Sequence, residues 1–264
     1  MHVKDIISLI EEYAPLKLQA SFDNSGLLCG DPEREVTSVL LCIDVTEEVV
    51  EEAIAKGHDL IISHHPLIFG GLKHITPATY VERCVIKAIK HDITIYASHT
   101  NMDVVTNGVS GRMADKLDLV NRQILQPEGD PLAGNGFGII GELQHPVESM
   151  TFLQQVKEIF RCDRLRYTTP HLPTIQRVAV CGGAGASFFN RALANHADIY
   201  ISGDFKYHDF FLTEKRVIIA DIGHYESEQF TKEIFYEILT KKYLNSRFSF
   251  LRLIQIRLSI YNIW

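Results

Sequence analysis

The stretch VTSVLLCIDVTEEVVEEAIAKGHDLIISHH, running from Val36 to His65, decides the fold. Its opening VTSVLLCIDV and closing DLIISHH are short apolar runs rich in Val, Ile and Leu, and each reads as a strand. Between them TEEVVEEAIAKG reads as a helix. Thr46 can accept a hydrogen bond from the first turn, and Gly57 can take the left-handed conformation that ends a helix. The result is a β-α-β unit, whose two strands must run parallel.

Working outward, Met1–Ala14 places Ile6, Leu9, Ile10 and Tyr13 on one stripe, with Asp5 available as a cap, so the chain is expected to open with an amphipathic helix. Downstream, VERCVIKAIKHD, ITIYASH and VSGRMADKLD repeat a helix, strand and helix. The pattern changes between Gln126 and Gln144, where PEGDPLAGNGFGIIGEL is rich in glycine and turn residues. The expected division is therefore a first α/β lobe over residues 1–125 and a second over 126–264. In the second, Thr151 with Gln154 suggests a capping box, RVAVCGG, ADIYISGD and RVIIADIG read as buried strands, and SEQFTKEIFYEILTKKY reads as the last helix. The expected fold class is α/β, with mixed sheets flanked by helices.

Composition narrows the function. A chain of 264 residues with 46% apolar and 22% charged residues can bury its own core. A net charge of −7 argues against nucleic acid, whose phosphates are bound by clustered Lys and Arg. The acidic residues of the first helix do not suit a secretory signal, and the closing FSFLRLIQIRLSIYNIW is too short and too interrupted by arginine to span a membrane, so a cytoplasmic location is expected. Five scattered cysteines form no close pair and read as reduced packing residues.

Chemistry gathers at strand ends, where open α/β sheets bind ligands. SHHPLIF offers His64 and His65, which can face one site only if the backbone bends, as Pro66 suggests. SHTNMD offers Asp103, with His99 nearby. DIGHYESE offers His224 and Glu228, four residues apart and so on one side of a helix that Ser227 could cap. Each has a plainer reading: a polar loop for the histidine pair, a helix cap for Asp103, a loop histidine for His224 and a helix-dipole partner for Glu228. Three mixed His/carboxylate clusters at three strand ends favour a divalent metal site over all of these.

FDNSGLLCGD, SHHPLIF, SHTNMDVVTNG, ISGDFKYHDF and DIGHYESE, in that order, resemble the GTP cyclohydrolase I type 2 homologues, also called the NGG-interacting-factor-three family. The resemblance extends to about Tyr243. It implies a two-lobed subunit with a dinuclear site between the lobes, its ligands matching His64, His65, Asp103, His224 and Glu228, and assembly into a homohexameric ring. Mixed ligation suits two divalent ions per subunit, zinc, manganese or iron. The function implied is a metal-dependent hydrolase activating a metal-bridging water, with a nucleotide or other small molecule as substrate. His99 and His208 are candidates for proton transfer. The alternative is a non-catalytic metal-binding or regulatory scaffold acting through protein partners.

Three further segments remain. CGGAGAS lacks the Gly-Lys-Ser/Thr ending of a phosphate loop and reads as a tight strand-to-helix turn, while Gly70 and Gly71 mark either a flap or a plain surface loop. The chain end departs from the family, yet one permitted codon choice for Phe250 to Tyr261, displaced by two nucleotides, encodes SEVNTDPFKYL and a stop, close to the family ending. Residues from about 246 to 264 are therefore expected to be a frameshifted ending.

Overall fold

In this computed structural model residues 1–129 and 134–243 are described, together with the backbone of 247–250. Helix α1 (Val3–Tyr13) and strand β1 (Gly26–Cys29) come first. The β-α-β unit follows as β2 (Ser38–Cys42), α2 (Glu47–Lys56) and β3 (Leu60–Ser63). Thr46 Oγ1 accepts from Val49 N at 3.4 Å, and Gly57 closes the helix with φ +66°. Helix α3 (Tyr80–Lys90), strand β4 (Thr94–Ala97) and helix α4 (Thr100–Val104) continue the alternation.

By its packing the chain divides into two units, residues 1–101 with 232 onward, and residues 102–231. The sequence reading divides it at 125/126 instead. The Gly-rich segment taken there as a boundary connects the antiparallel strands β5 (Val120–Pro127) and β6 (Gly136–Glu148) of one sheet, so it lies inside the second unit.

In the first unit β4, β3 and β2 are parallel neighbours, buried at every position. β1 pairs antiparallel with β4 at one edge. The backbone of β11 (Arg247–Phe250) pairs parallel with β2 at the other. The expectation of a frameshifted ending otherwise falls outside the described residues. Leu40, Cys42 and Ile61 pack with Val49 and Ala53 of α2 and with Val85 and Ala88 of α3. Each buried Val, Leu or Ile side chain of this cluster stabilises by about 1.5–3 kcal/mol.

The second unit contains α5 (Val109–Lys116), the β5–β6 hairpin, α6 (Ser149–Ile159), β7 (Arg166–Tyr167), β8 (Thr174–Val180), α7 (Phe189–Ala194), β9 (Ile199–Ser202), β10 (Ile218–Asp221) and α8 (His224–Glu228). Its sheet order is β5-β6-β8-β9-β10-β7, parallel through β8-β9-β10 and antiparallel elsewhere. Side chains alternate across it: Ile199 and Ile201 pack with Phe152 and Phe160 on one face, and Tyr200 packs with Phe189 and Ala192 on the other.

Three local expectations are corrected where a side chain or a packed aromatic wins. Asp5 is the third residue of α1 and accepts from His2 N at 2.9 Å, so the helix begins before it. Glu148, rather than Thr151, caps α6, its carboxylate accepting from Met150 N at 3.0 Å and Thr151 N at 2.6 Å. The last helix forms as two, α8 and α9 (Thr231–Thr240), with Phe230 between them buried in the second unit's core.

One device recurs in both sheets. Asp59, just before β3, accepts from Thr37 N at 2.8 Å and Ser38 N at 3.2 Å at the start of β2. Asp198, just before β9, accepts from Gln176 N at 2.8 Å and Arg177 N at 2.7 Å of β8. Burial alone would raise the Asp59 carboxyl, but the hydrogen bonds from Thr37 and Ser38 outweigh it and hold the group below its ordinary 3.8. The stability it contributes is therefore complete above that value and lost as pH falls through the lowered one. Asp59→Ala is expected to cost about 2 kcal/mol and about 4–8 °C of Tm near neutral pH. Melting curves followed by circular dichroism should show the two proteins converging as pH falls below 3.8.

Candidate metal centre

His64 and His65 follow β3 at once. Their backbone still bonds alongside β2, His64 N to Cys42 O at 3.3 Å and His65 N to Ile43 O at 2.9 Å, before Pro66 turns the chain. A straight strand would point the two rings to opposite faces. Here the ring centroids lie 4.9 Å apart, because Ser63 Oγ donates back to His65 O at 2.8 Å and holds the bend. His99, two residues past β4, places its ring 5.3 Å from each. Ligand nitrogens of all three lie within 4.8 Å of one another, so this cluster could hold a metal ion.

Each ring is oriented from behind. His64 Nδ1 donates to Ser98 O at 3.0 Å, His65 Nδ1 to Asp44 Oδ1 at 2.8 Å, and His99 Nδ1 to Asp23 Oδ1 at 2.8 Å. A carbonyl or carboxylate can only accept, so the proton sits on Nδ1 and a neutral ring keeps its Nε2 lone pair for a ligand. Asp23 is the hub of its loop, accepting also from Ser25 Oγ at 2.9 Å and Thr100 N at 3.0 Å. Burial would raise its carboxyl, but the bonds from His99 and Thr100 prevail and hold it well below the usual range.

The second unit assembles Asp103, His224 and Glu228. His224 and Glu228 open and close α8, one turn apart, with Nε2 and Oε2 at 3.2 Å, and carboxylate oxygens of Asp103 and Glu228 lie within 4.8 Å of each other. His224 Nδ1 donates to Asp204 Oδ2 at 2.7 Å, repeating the arrangement of the first unit. Ser227 is not the helix cap expected from the sequence, since α8 already starts at His224. Its hydroxyl donates to His224 O at 2.7 Å and accepts from Gly183 N at 2.8 Å, fastening the helix to the CGGAGAS turn. That turn is the tight connection expected. At Gly183, with φ +63°, a Cβ would stand 2.2 Å from Glu228 Oε1.

Cys181 lies beside this set, and burial, reinforced by the negative charge of Asp103, pushes its thiol up to about 12. His208 stands elsewhere in the unit, its ring 5.2 Å from Tyr207 and 6.2 Å from Phe211, and is absent from the gathered ligand groups of the described residues.

The carboxylates Asp23, Asp44 and Asp204 are the residues that the sequence reading does not single out. Partners of this kind fix the tautomer of a ligating histidine and typically contribute 10–100-fold to metal affinity. Asp44→Asn is accordingly expected to weaken zinc binding by about 10–100-fold with little change in the metal-free melting temperature, as competition with a chromogenic chelator would measure.

The family model described as Duf34/NIF3 (NGG1p interacting factor 3) matches residues 1–256. A Clostridium perfringens protein named GTP cyclohydrolase 1 type 2 homolog is 36% identical over 231 residues, covering 86% of this chain and 87% of that protein. One of the same name from Streptococcus pneumoniae is 37% identical, covering 89% of each. The crystal structure of a Staphylococcus aureus hypothetical protein superposes with a TM-score of 0.91 at 28% identity, covering 99% of each chain. That of a Bacillus cereus protein related to NIF3 does so with 0.92 at 26% identity, also covering 99% of each.

Proposed function

The chain belongs to the Duf34/NIF3 family, and on that premise we propose that His64, His65, Asp103, His224 and Glu228 together bind two divalent metal ions and that the protein is a metal-dependent hydrolase of nucleotide-like substrates. The observation that carries this reading is that all three proposed ligand imidazoles have an acceptor behind Nδ1, Ser98 O for His64 at 3.0 Å, Asp44 for His65 at 2.8 Å and Asp204 for His224 at 2.7 Å. Histidines serving only as polar surface have no need of an acceptor behind every ring, whereas histidines serving as ligands do. The mixed imidazole and carboxylate donors suit zinc, manganese or iron. Three imidazoles and two carboxylates carry two negative charges, which two divalent cations more than neutralise.

Bound there, the ions would supply Lewis-acid polarisation and a water of lowered pKa. The protein's own part is orientation and proton transfer. Asp44, Asp204 and the Ser98 carbonyl aim three rings, while His99, backed by Asp23, takes up a proton at Nε2 and returns it, Asp23 stabilising the imidazolium that forms. His208, whose ring neighbours are Tyr207 and Phe211, has no part in this reading. The protein acts as a cytoplasmic homohexameric ring, and light scattering should return six chains per particle. Among the described residues no helix is long and apolar enough to cross a membrane.

The test is turnover of GTP and a panel of nucleotides, phosphate esters and amides by metal-reconstituted protein. Hydrolysis that disappears in Asp103→Ala and Glu228→Ala is expected. Hydrolysis that survives both substitutions would sink the catalytic assignment, and a metal-loaded protein inert toward the whole panel would favour a scaffold acting through partners.

A further inference from the structure

Two phenylalanines of the first unit stand where packing does not explain them. Phe22 is 67% exposed and Phe69 is 52% exposed, with ring centroids 6.3 Å apart, and the Phe69 ring meets His99 edge-on at 6.2 Å. More than half of each apolar surface is therefore turned to solvent beside the imidazole cluster.

The loops that carry them are pinned. Phe22 immediately precedes Asp23, whose carboxylate holds His99, Ser25 and Thr100. On the same loop, Ala20 N donates to Thr100 Oγ1 at 2.9 Å and Ser25 N to Gln19 Oε1 at 2.9 Å. Asn24 Nδ2 donates to Ile68 O at 2.6 Å, tying this loop to the residue before Phe69. A hydrogen-bonded frame thus presents two aromatic faces at a fixed place next to His99. Exposing phenylalanine on an anchored loop forfeits apolar burial in the free protein, and the loss is recovered when a ligand covers the rings.

We propose that Phe22 and Phe69 form a stacking face for a planar heteroaromatic ring of the ligand, holding that ring against His99. Aromatic side chains take such a partner in offset or edge-on geometry at centroid separations of about 4.5–7 Å, and every nucleobase offers the flat π-face that this needs. The inference deepens the proposed function and rests on reading the histidine cluster as a ligand site. It concerns recognition of the ring alone and needs neither metal nor turnover.

Isothermal titration of metal-free protein with guanosine, which has the ring and no phosphate, and with ribose 5-phosphate, which has phosphate and no ring, tests it. Guanosine is expected to bind the wild type more tightly than ribose 5-phosphate. Phe22→Ala and Phe69→Ala should each weaken guanosine by about tenfold, and Phe22→Tyr should retain it. Both rings are exposed, so the melting temperature should be unchanged, and Leu27→Ala, elsewhere in the unit, serves as a control without effect. Guanosine affinity unaltered in the Phe22→Ala/Phe69→Ala double variant would overturn the proposal, as would guanosine binding no tighter than ribose 5-phosphate. A double variant that changes oligomeric state while guanosine affinity holds would assign the rings to a second copy of the chain and equally overturn it. Loss of hydrolysis with stacking intact would count against the reaction alone, which separates the two failures.

Discussion

Glu228→Gln is expected to abolish binding of at least one metal ion while leaving the metal-free protein as stable as the wild type, or more so. Glu228 is only 3% exposed, it meets His224 Nε2 at 3.2 Å, and its carboxylate lies within 4.8 Å of that of Asp103. Two carboxylates brought together out of water repel, and the arrangement is favourable only when cations offset them. Glutamine keeps the shape, removes one charge and relieves the repulsion. In the presence of zinc the order reverses. Saturating metal at about 100 times Kd should stabilise the wild type by about 2.7 kcal/mol and raise Tm by about 5 °C or more, and the variant should gain far less. Scanning calorimetry with and without zinc reads both halves. A variant that melts well below the wild type without metal would show that Glu228 is a structural residue.

The second large effect is expected from Gly183→Ala, a substitution that removes no ligand. Gly183 has φ +63°, and an added Cβ would approach Glu228 Oε1 to 2.2 Å and the Glu228 carboxyl carbon to 3.3 Å. Its N–H also donates to Ser227 Oγ, which fixes the start of α8. The left-handed conformation costs a residue with a Cβ about 1–2 kcal/mol. Relief of the clash must then come from Glu228 leaving its place, since the glycine's own backbone is held by Ser227 Oγ at its N–H and by Gly203 N at its carbonyl. The expected outcome is a folded protein, with Tm lowered by about 2–8 °C, whose zinc affinity falls by at least about 100-fold. Calorimetry and chelator competition on one sample measure the two. Unchanged zinc affinity would mean that the Glu228 carboxylate does not need this position.

The frame of the fold was legible because its signals are local. Thr46 and Gly57 bracket α2 within one stretch of chain, and the continuous apolar runs that became β2, β3, β9 and β10 could be buried only inside parallel sheets. Errors arose where two local signals competed. Thr151 and Gln154 carry a capping pattern, but Glu148 starts the helix before them by accepting from Met150 N and Thr151 N. SEQFTKEIFYEILTKKY holds no Gly or Pro to mark its break, which comes from the burial of Phe230 in the second unit. The glycine-rich segment announces a turn, and a turn inside a hairpin has the same composition as a linker between domains.

The site divides in the same way. His64, His65, Asp103, His224 and Glu228 stand at strand ends and could be picked out by that alone. Their supporting aspartates lie far off in sequence, Asp23 76 residues from His99, Asp44 21 from His65 and Asp204 20 from His224. The same rule could have found two of them, because Asp44 and Asp204 each stand two residues past a buried strand, β2 and β9. Asp23 sits in a loop whose only local signal is its FDNSG sequence.

The most direct test of the paired-metal reading is anomalous scattering from crystals of protein loaded with zinc, collected on either side of the zinc absorption edge. Two peaks about 3.5–4 Å apart, bounded by His64, His65, Asp103, His224 and Glu228, are the expected result. A single peak, or peaks bound by other residues, would contradict it.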